Sequence, residues 1–222
     1  PGLANKLALP FSKKICHSFL ETQKYIDKNK AVFTGLPIRK ELFEGSREKG
    51  LAFCGFTPDK PVILIMGGSQ GAKAINSSIR NNLDKILEHF QICHLCGKGN
   101  KIEELDSLKG YKQYEYISDE LKDLFAMCDF MISRAGATSV FEILALKKTN
   151  ILIPLSKKSS RGDQILNAES FRKQGFSLVI DEDELTDELL LEKILYLKEN
   201  KNTFIENMEK AELKNAIEII VS

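Results

Sequence analysis

Three short stretches put glycine, hydroxyl, amide and carboxylate groups where a strand gives way to a helix. The first is GGSQGA, residues 67–72, directly after the apolar run VILIM. Glycine lets a backbone approach a ligand closely, and the following helix offers unpaired N–H groups and a partial positive charge. With the Ser69 hydroxyl this suits an anion cradle for phosphate; the alternative is a tight turn that holds nothing. The second stretch is SRAGATSVFE, residues 133–142. Ala135, Gly136 and Ala137 are small enough for ligand contact, and Thr138 and Ser139 can bond a ligand or cap the helix. Glu142 can accept two hydrogen bonds from a vicinal diol such as a ribose, or stand as a solvated glutamate in the first helical turn. The third is SSRGDQILNA, residues 159–168. Gln164 and Asn167 share one side of a helix at i, i+3, and their amides suit sugar hydroxyls; the alternative is an Asp163 cap with the rest exposed.

Two familiar phosphate motifs do not fit. A G-x-G-x-x-G loop needs another glycine spacing and an acid about 20 residues on. The next strand ends instead in Cys96-Gly97-Lys98. A Walker A loop needs Ser or Thr after its lysine, and Gly99 stands there. Nicotinamide dinucleotides and P-loop nucleotides are disfavoured. No metal-binding aspartate pair stands near either loop, so neither metal nor cofactor is expected. Two cradles and an amide pair suggest a nucleotide-sugar site, its diphosphate held by helix termini and hydroxyls.

The elements around these loops alternate. VILIM reads as a strand buried on both faces. Ile75, Ile79, Leu83, Ile86, Leu87 and Phe90 predict a helix with one apolar face. ICHLCG, YKQYEYI, DFMIS, NILIP and FSLVI read as further strands, with helices between them and two more over 186–199 and 203–221. Such alternation predicts an α/β domain, a parallel sheet with helices on both faces, and ligands in these sheets bind at the carboxyl ends of the strands. Earlier in the chain, Phe11, Ile15, Phe19 and Tyr25 suggest a helix over 11–26, AVFTG a short strand, and the polar stretch 44–60 a linker.

Composition narrows the classes. The 222 residues carry 32 basic and 31 acidic side chains, a net charge of +1 that gives no reason to expect nucleic acid. Residues 1–40 hold eight of the basic side chains against Glu21 and Asp27, a segment that can face an anionic membrane or simply solvent. No apolar run is long enough to span a bilayer, and no secretory signal opens the chain. The five cysteines read as reduced, buried thiols of a cytoplasmic protein, and Cys93-His94-Leu95-Cys96 reads as core packing, since no second pair completes a zinc site.

GGSQGAKAIN, HLCGKG, Tyr116-Ile117-Ser118-Asp119, SRAGATSVFE and DQILNA occur in this order. Together with PGLANKLAL and FTGLPIR they resemble the MurG family of bacterial peptidoglycan N-acetylglucosaminyltransferases over essentially the whole chain. The resemblance implies one Rossmann-like half of a GT-B glycosyltransferase. Family members transfer GlcNAc from UDP-GlcNAc, with inversion, to the muramyl 4-hydroxyl of lipid I to give lipid II. They work peripherally at the cytoplasmic face of the plasma membrane and need no structural metal. Position by position, Gly68, Ser69 and Gln70 would contact the donor, and Arg39 would face it from the hinge. Ile117 would meet the uracil edge through its backbone. Ala137, Thr138, Ser139, Val140 and Phe141 would line the diphosphate and nucleoside. Glu142 would bind the ribose hydroxyls, and Gln164, with Asn167 nearby, would read the GlcNAc hydroxyls.

Leu36 stands where the family's hinge usually has Asn, and Ser139 where it more often has Thr. The resemblance implies three parts. Residues 1–38 would be the tail of an N-terminal acceptor domain plus hinge, 39–203 the donor domain, and 204–222 a helix packing back on the N-terminal domain. The acceptor domain, with its proposed catalytic histidine, would precede Pro1. His17, His89 and His94 match no catalytic position and read as structural or solvated. No catalytic residue is therefore expected within these residues, and the chain alone would bind donor without turning it over. Two other classes are a donor subunit of a split transferase that recruits a separate acceptor subunit, and a non-enzymatic UDP-sugar-binding protein.

Overall fold

The computed structural model describes residues 3–68, 72–211 and 216–221. It divides into two compact units, one formed by residues up to Ile38 with those from Ala211 onward, the other by Arg39–Lys210.

The smaller unit holds helix α1 (Leu3–Ala8), strands β1 (Ile15–His17) and β2 (Ala31–Phe33), and a last helical segment, Ala216–Val221. β1 and β2 pair in parallel, Ile15 opposite Ala31. The single helix expected over 11–26 is replaced by β1 and a 3-10 helix, Leu20–Tyr25. A spacing of four satisfies a strand's period of two as well as a helical turn, and pairing with β2 selects the strand. Phe11, one of the four residues at that spacing, is 89% exposed.

In the larger unit a 3-10 helix, Lys40–Glu44, precedes α2 (Arg47–Cys54), which lies in the stretch expected to be a linker. Ser46 caps it by accepting from Lys49 N at 3.3 Å, and Gly55 ends it in the left-handed conformation, φ 67°. Gly50 lets α2 lie close to a later helix: a Cβ there would stand 2.4 Å from Asp123 O.

Then come β3 (Val62–Met66), α3 (Lys73–Asn81), α4 (Leu83–Leu87), β4 (Gln91–Leu95), β5 (Tyr111–Tyr114) and α5 (Leu121–Met127). β6 (Phe130–Ser133), α6 (Ala137–Ala145), β7 (Thr149–Leu152), α7 (Asp163–Lys173), β8 (Leu178–Val179), α8 (Asp187–Glu199) and α9 (Lys201–Glu209) complete it. The helix expected over 203–221 is described as two segments, with 212–215 outside the described residues. Phe204 and Met208 of α9 are buried within the larger unit.

The six strands β3–β8 form one parallel sheet in the order β5-β4-β3-β6-β7-β8. Successive strand residues face opposite sides, and Val62, Ile63, Leu64 and Ile65 are all buried, so both sides of β3 are covered. A buried Leu or Ile contributes about 1.5–3 kcal/mol relative to exposure, and an unbroken run of them fixes β3 at the centre. From β3 the chain winds outward through β4 and β5, then returns to start β6 on the other side of β3. That reversal is a topological switch point, where open α/β sheets bind ligands.

Candidate functional site

The two glycine-rich loops leave β3 and β6, the strands on either side of the switch point. Gly68 has φ +91°, a conformation side chains other than glycine rarely adopt. Ser69 and Gln70 lie outside the described residues. The loop after β7 leads to α7 with Gln164 and Asn167.

The helices that start above these strand ends share one property. α3, α6 and α7 have Ala72, Gly136 and Gly162 at their N-caps, and none receives a side-chain capping bond. α2 and α8 are capped by Ser46 and by Thr186, which accepts from Leu189 N. Thr138 and Ser139 therefore do not cap α6; they sit inside its first turn. Asp163 is the first residue of α7 and not its cap. α4, α5 and α9 also lack a side-chain cap; what sets α3, α6 and α7 apart is that they start at the strand ends, where a helix terminus stabilises an anion by ~0.3–2 kcal/mol.

Glu142 is 5% exposed, so the solvated alternative does not hold. Arg39 donates to its Oε1 from Nε at 3.0 Å and from Nη2 at 2.8 Å. The arginine side chain is 55% exposed and its partner 6%. Ala137 and Ser139 are half-buried, and Thr138 is exposed. Val140 and Phe141 point into the core: Val140 N bonds Gly136 O at 3.0 Å, and the Phe141 ring meets Phe171 edge-on at 5.7 Å. Ile117 is half-buried just past β5, beside exposed Tyr116. Gln164 Oε1 accepts from Leu155 N at 3.1 Å, and Asn167 Nδ2 donates to Ala135 O at 3.0 Å. Asn167 thus ties α7 to the second glycine loop.

Residues not singled out from the sequence hold this frame. Arg134, inside the second loop, is buried and donates to Ile153 O at 3.0 Å and to Glu182 Oε1. Glu182 Oε2 accepts from Ser156 N at 3.0 Å. Arg134 lay in a stretch already singled out; Glu182 sits in an acidic run, Asp181 to Glu184, that looks like a solvated turn.

Under the first loop, Asn76 Nδ2 donates to Cys96 O at 2.9 Å. Its Oδ1 then faces His94 Nε2 at 2.9 Å, and His94 Nδ1 faces the Tyr111 hydroxyl at 2.8 Å. An amide oxygen only accepts, so His94 carries its proton on Nε2 and Tyr111 donates to Nδ1. Burial lowers the His94 pKa to about 3 and pushes that of Tyr111 up to about 12. His94 is thus a neutral tether between α3 and β4. His17 is buried, near Phe19 O and Phe33, and His89 is exposed. Of the cysteines, Cys54, Cys93, Cys96 and Cys128 are buried, whereas Cys16, expected to be buried too, is exposed. Among the described residues no group of histidines, cysteines or carboxylates could hold a metal, and no helix is long and apolar enough to cross a membrane.

The family model described as glycosyltransferase family 28 C-terminal domain matches residues 62–221. Two curated relatives are UDP-N-acetylglucosamine–N-acetylmuramyl-(pentapeptide) pyrophosphoryl-undecaprenol N-acetylglucosamine transferases. That of Clostridium botulinum (strain Hall) is 55% identical over 220 residues, covering 99% of this chain. That of Clostridium tetani is 52% identical over 221 residues, covering 100%. The chain spans 62% of the length of each. Among solved structures, Acinetobacter baumannii MurG matches with a TM-score of 0.73 at 22% identity, over 100% of this chain and 62% of that one. The UDP-GlcNAc 2-epimerase of Neisseria meningitidis, bound to UDP-GlcNAc, matches with 0.69 at 17%, over 100% and 63%. These structural likenesses bear on the fold, a Rossmann-like parallel sheet.

Proposed function

Because this chain belongs to glycosyltransferase family 28 and contains that family's C-terminal domain, we propose that it is the donor-binding part of an inverting N-acetylglucosaminyltransferase of peptidoglycan synthesis. The whole enzyme transfers GlcNAc from UDP-GlcNAc to the muramyl 4-hydroxyl of lipid I, giving lipid II. The observation that carries the reading is a buried carboxylate, Glu142, in the second turn of a helix that starts uncapped at the switch point. Identity of 55% to relatives whose names state this transfer supports the choice of substrate.

In this reading the diphosphate sits on the open amides of Ala137, Thr138 and Ser139 and on the first loop, Gly68 to Gln70. Val140 and Phe141 back that turn from the core. Glu142 takes the ribose hydroxyls, Ile117 the uracil edge through its backbone, and Arg39 the phosphates. The amide of Gln164 reads the sugar, and Asn167 holds α7 against the second loop. Catalysis needs a base on the acceptor hydroxyl and stabilisation of the departing UDP. Only the second falls to the residues described, so the chain by itself binds donor and does not turn it over. The acceptor site belongs to the part of the relatives that this chain does not span.

We also propose work at the cytoplasmic membrane face. Exposed Leu7, Phe11, Leu20 and Tyr25 share the smaller unit with exposed Lys13, Lys14, Lys24 and Lys28, a mixture suited to an anionic interface. Sedimentation with anionic liposomes at low salt tests this part; no binding ends it.

The donor reading is tested by calorimetric titration of UDP-GlcNAc, with UDP-glucose as competitor and Glu142→Ala as control. Binding that prefers GlcNAc and collapses in the variant supports it. Absence of uridine-nucleotide binding even after an acceptor domain is added back removes it.

A further inference from the structure

We propose that Glu182 is a positioning residue of the donor site, setting the sugar-reading amide of Gln164 through the loop that follows β7; this rests on the donor reading above. Glu182 lies outside the three stretches, in the turn after β8. Its two oxygens serve different masters. Oε1 accepts from Arg134 of the second glycine loop, and Oε2 accepts from the main-chain N of Ser156 at 3.0 Å. The pair is largely shielded, with side-chain exposures of 10% for Arg134 and 16% for Glu182.

From Ser156 the order propagates to α7 by two routes. Its neighbour Leu155 donates its N–H to Gln164 Oε1 at 3.1 Å. That bond fixes which way the Gln164 side-chain amide faces, since its oxygen is engaged and its NH₂ is directed elsewhere. Ser156 O also accepts from Ser160 Oγ at 3.1 Å, and Ser160 Oγ accepts from Gly162 N, the N-cap of α7, at 3.2 Å. Arg134 holds the other side, donating to Ile153 O at the end of β7. One carboxylate therefore sets the second glycine loop and the start of α7 against each other. An ion pair that only stapled the turn after β8 to the sheet would have no reason to reach the Ser156 amide. Arg134 keeps its bond to Ile153 O when Glu182 is removed, whereas the Ser156 amide loses its acceptor, so the effect falls more on the sugar than on the nucleotide.

The test compares UDP-GlcNAc with UDP, by calorimetry, in the chain and in its Glu182→Ala and Glu182→Gln variants. Glu182→Ala is expected to weaken UDP-GlcNAc roughly tenfold, the size of one lost bond in a shielded network. UDP should weaken by a smaller factor, since the second glycine loop keeps the bond from Arg134 to Ile153 O. Glu182→Gln, which keeps one acceptor oxygen, should fall between. An unchanged ratio of the two affinities, with UDP still bound, overturns the role of Glu182 alone. Failure of the unsubstituted chain to bind UDP, even with an acceptor domain added back, overturns the donor reading and this proposal with it. Amide hydrogen exchange gives a ligand-free check on the milder variant: Ser156 and Leu155 should both exchange faster in Glu182→Gln. Faster exchange at Ser156 alone overturns the relay to Gln164.

Discussion

Arg39 and Glu142 lie 103 positions apart in the chain, yet two nitrogens of the arginine converge on one oxygen of the carboxylate, at 3.0 and 2.8 Å. A vicinal diol that uses both carboxylate oxygens must share Oε1 with Arg39 or displace it. Glu142 is thereby held by an arginine whose side chain is 55% exposed.

The first expectation follows directly. Glu142→Ala should remove the preference for UDP over 2′-deoxy-UDP, which the bond to a charged acceptor sets at roughly tenfold. Competition calorimetry with the two nucleotides measures it. A preference that survives the substitution would assign ribose reading to another group. Arg39→Ala should lower stability by about 1–3 kcal/mol in urea denaturation, because it takes this partner from a buried carboxylate.

His94 makes stability depend on acid. Burial holds its folded pKa at about 3, below the ordinary value near 6.5. Above about pH 6.5 both folded and unfolded chains hold it neutral, so its contribution is complete there. Between about 6.5 and 3 the unfolded chain takes up the proton first, and stability falls as the pH falls. Urea denaturation at pH 7, 5.5 and 4.5 should show a steeper loss in the parent chain than in His94→Gln. Parallel losses would mean that the carboxylates alone set the slope.

Gly50→Ala tests the close approach of α2 to α5. The new methyl would meet Asp123 O at 2.4 Å and Met127 Cβ at 2.9 Å, so one helix must move. Overpacking of this kind costs about 1–3 kcal/mol. The thermal midpoint should drop while UDP affinity in the folded protein stays unchanged. A midpoint equal to the parent's would show that the two helices separate freely.

Thiol labelling should sort the five cysteines. Cys16 is exposed and should react at once, whereas Cys128, whose pKa burial raises to about 11, should react only on unfolding. Mass spectrometry after a short pulse of a disulfide reagent reads the order. Early loss of Cys128 would contradict its burial.

The alternation of strands and helices from Val62 onward was legible because β3 is an unbroken apolar run, most of the other strands are rich in apolar residues, and glycines mark the turns. Order along the sheet was not written in any strand; it follows from the reversal at β3. The helix Arg47–Cys54 escaped notice because its packing relies on Gly50, an absence of side chain that sequence patterns score as a breaker. Glu142 and Gln164 were visible as polar residues in helix starts. Their fixing partners were less so: Arg39 pairs with Glu142 across 103 positions, and Glu182 reaches Arg134 across 48. Contacts at such separations follow from topology and leave no periodic trace.

The uncapped starts of α3 and α6 carry an evolutionary consequence. A serine at position 72 would supply the missing cap for about 1 kcal/mol, and one at position 136 for a few tenths. Gly136 has φ −64°, which any residue adopts, so backbone strain does not explain the glycine. Selection for robustness alone would accept both serines. Each would also fill the place that the proposed diphosphate takes. A thermostabilised descendant of this chain would therefore be expected to acquire its gains elsewhere, leaving these two helix starts bare.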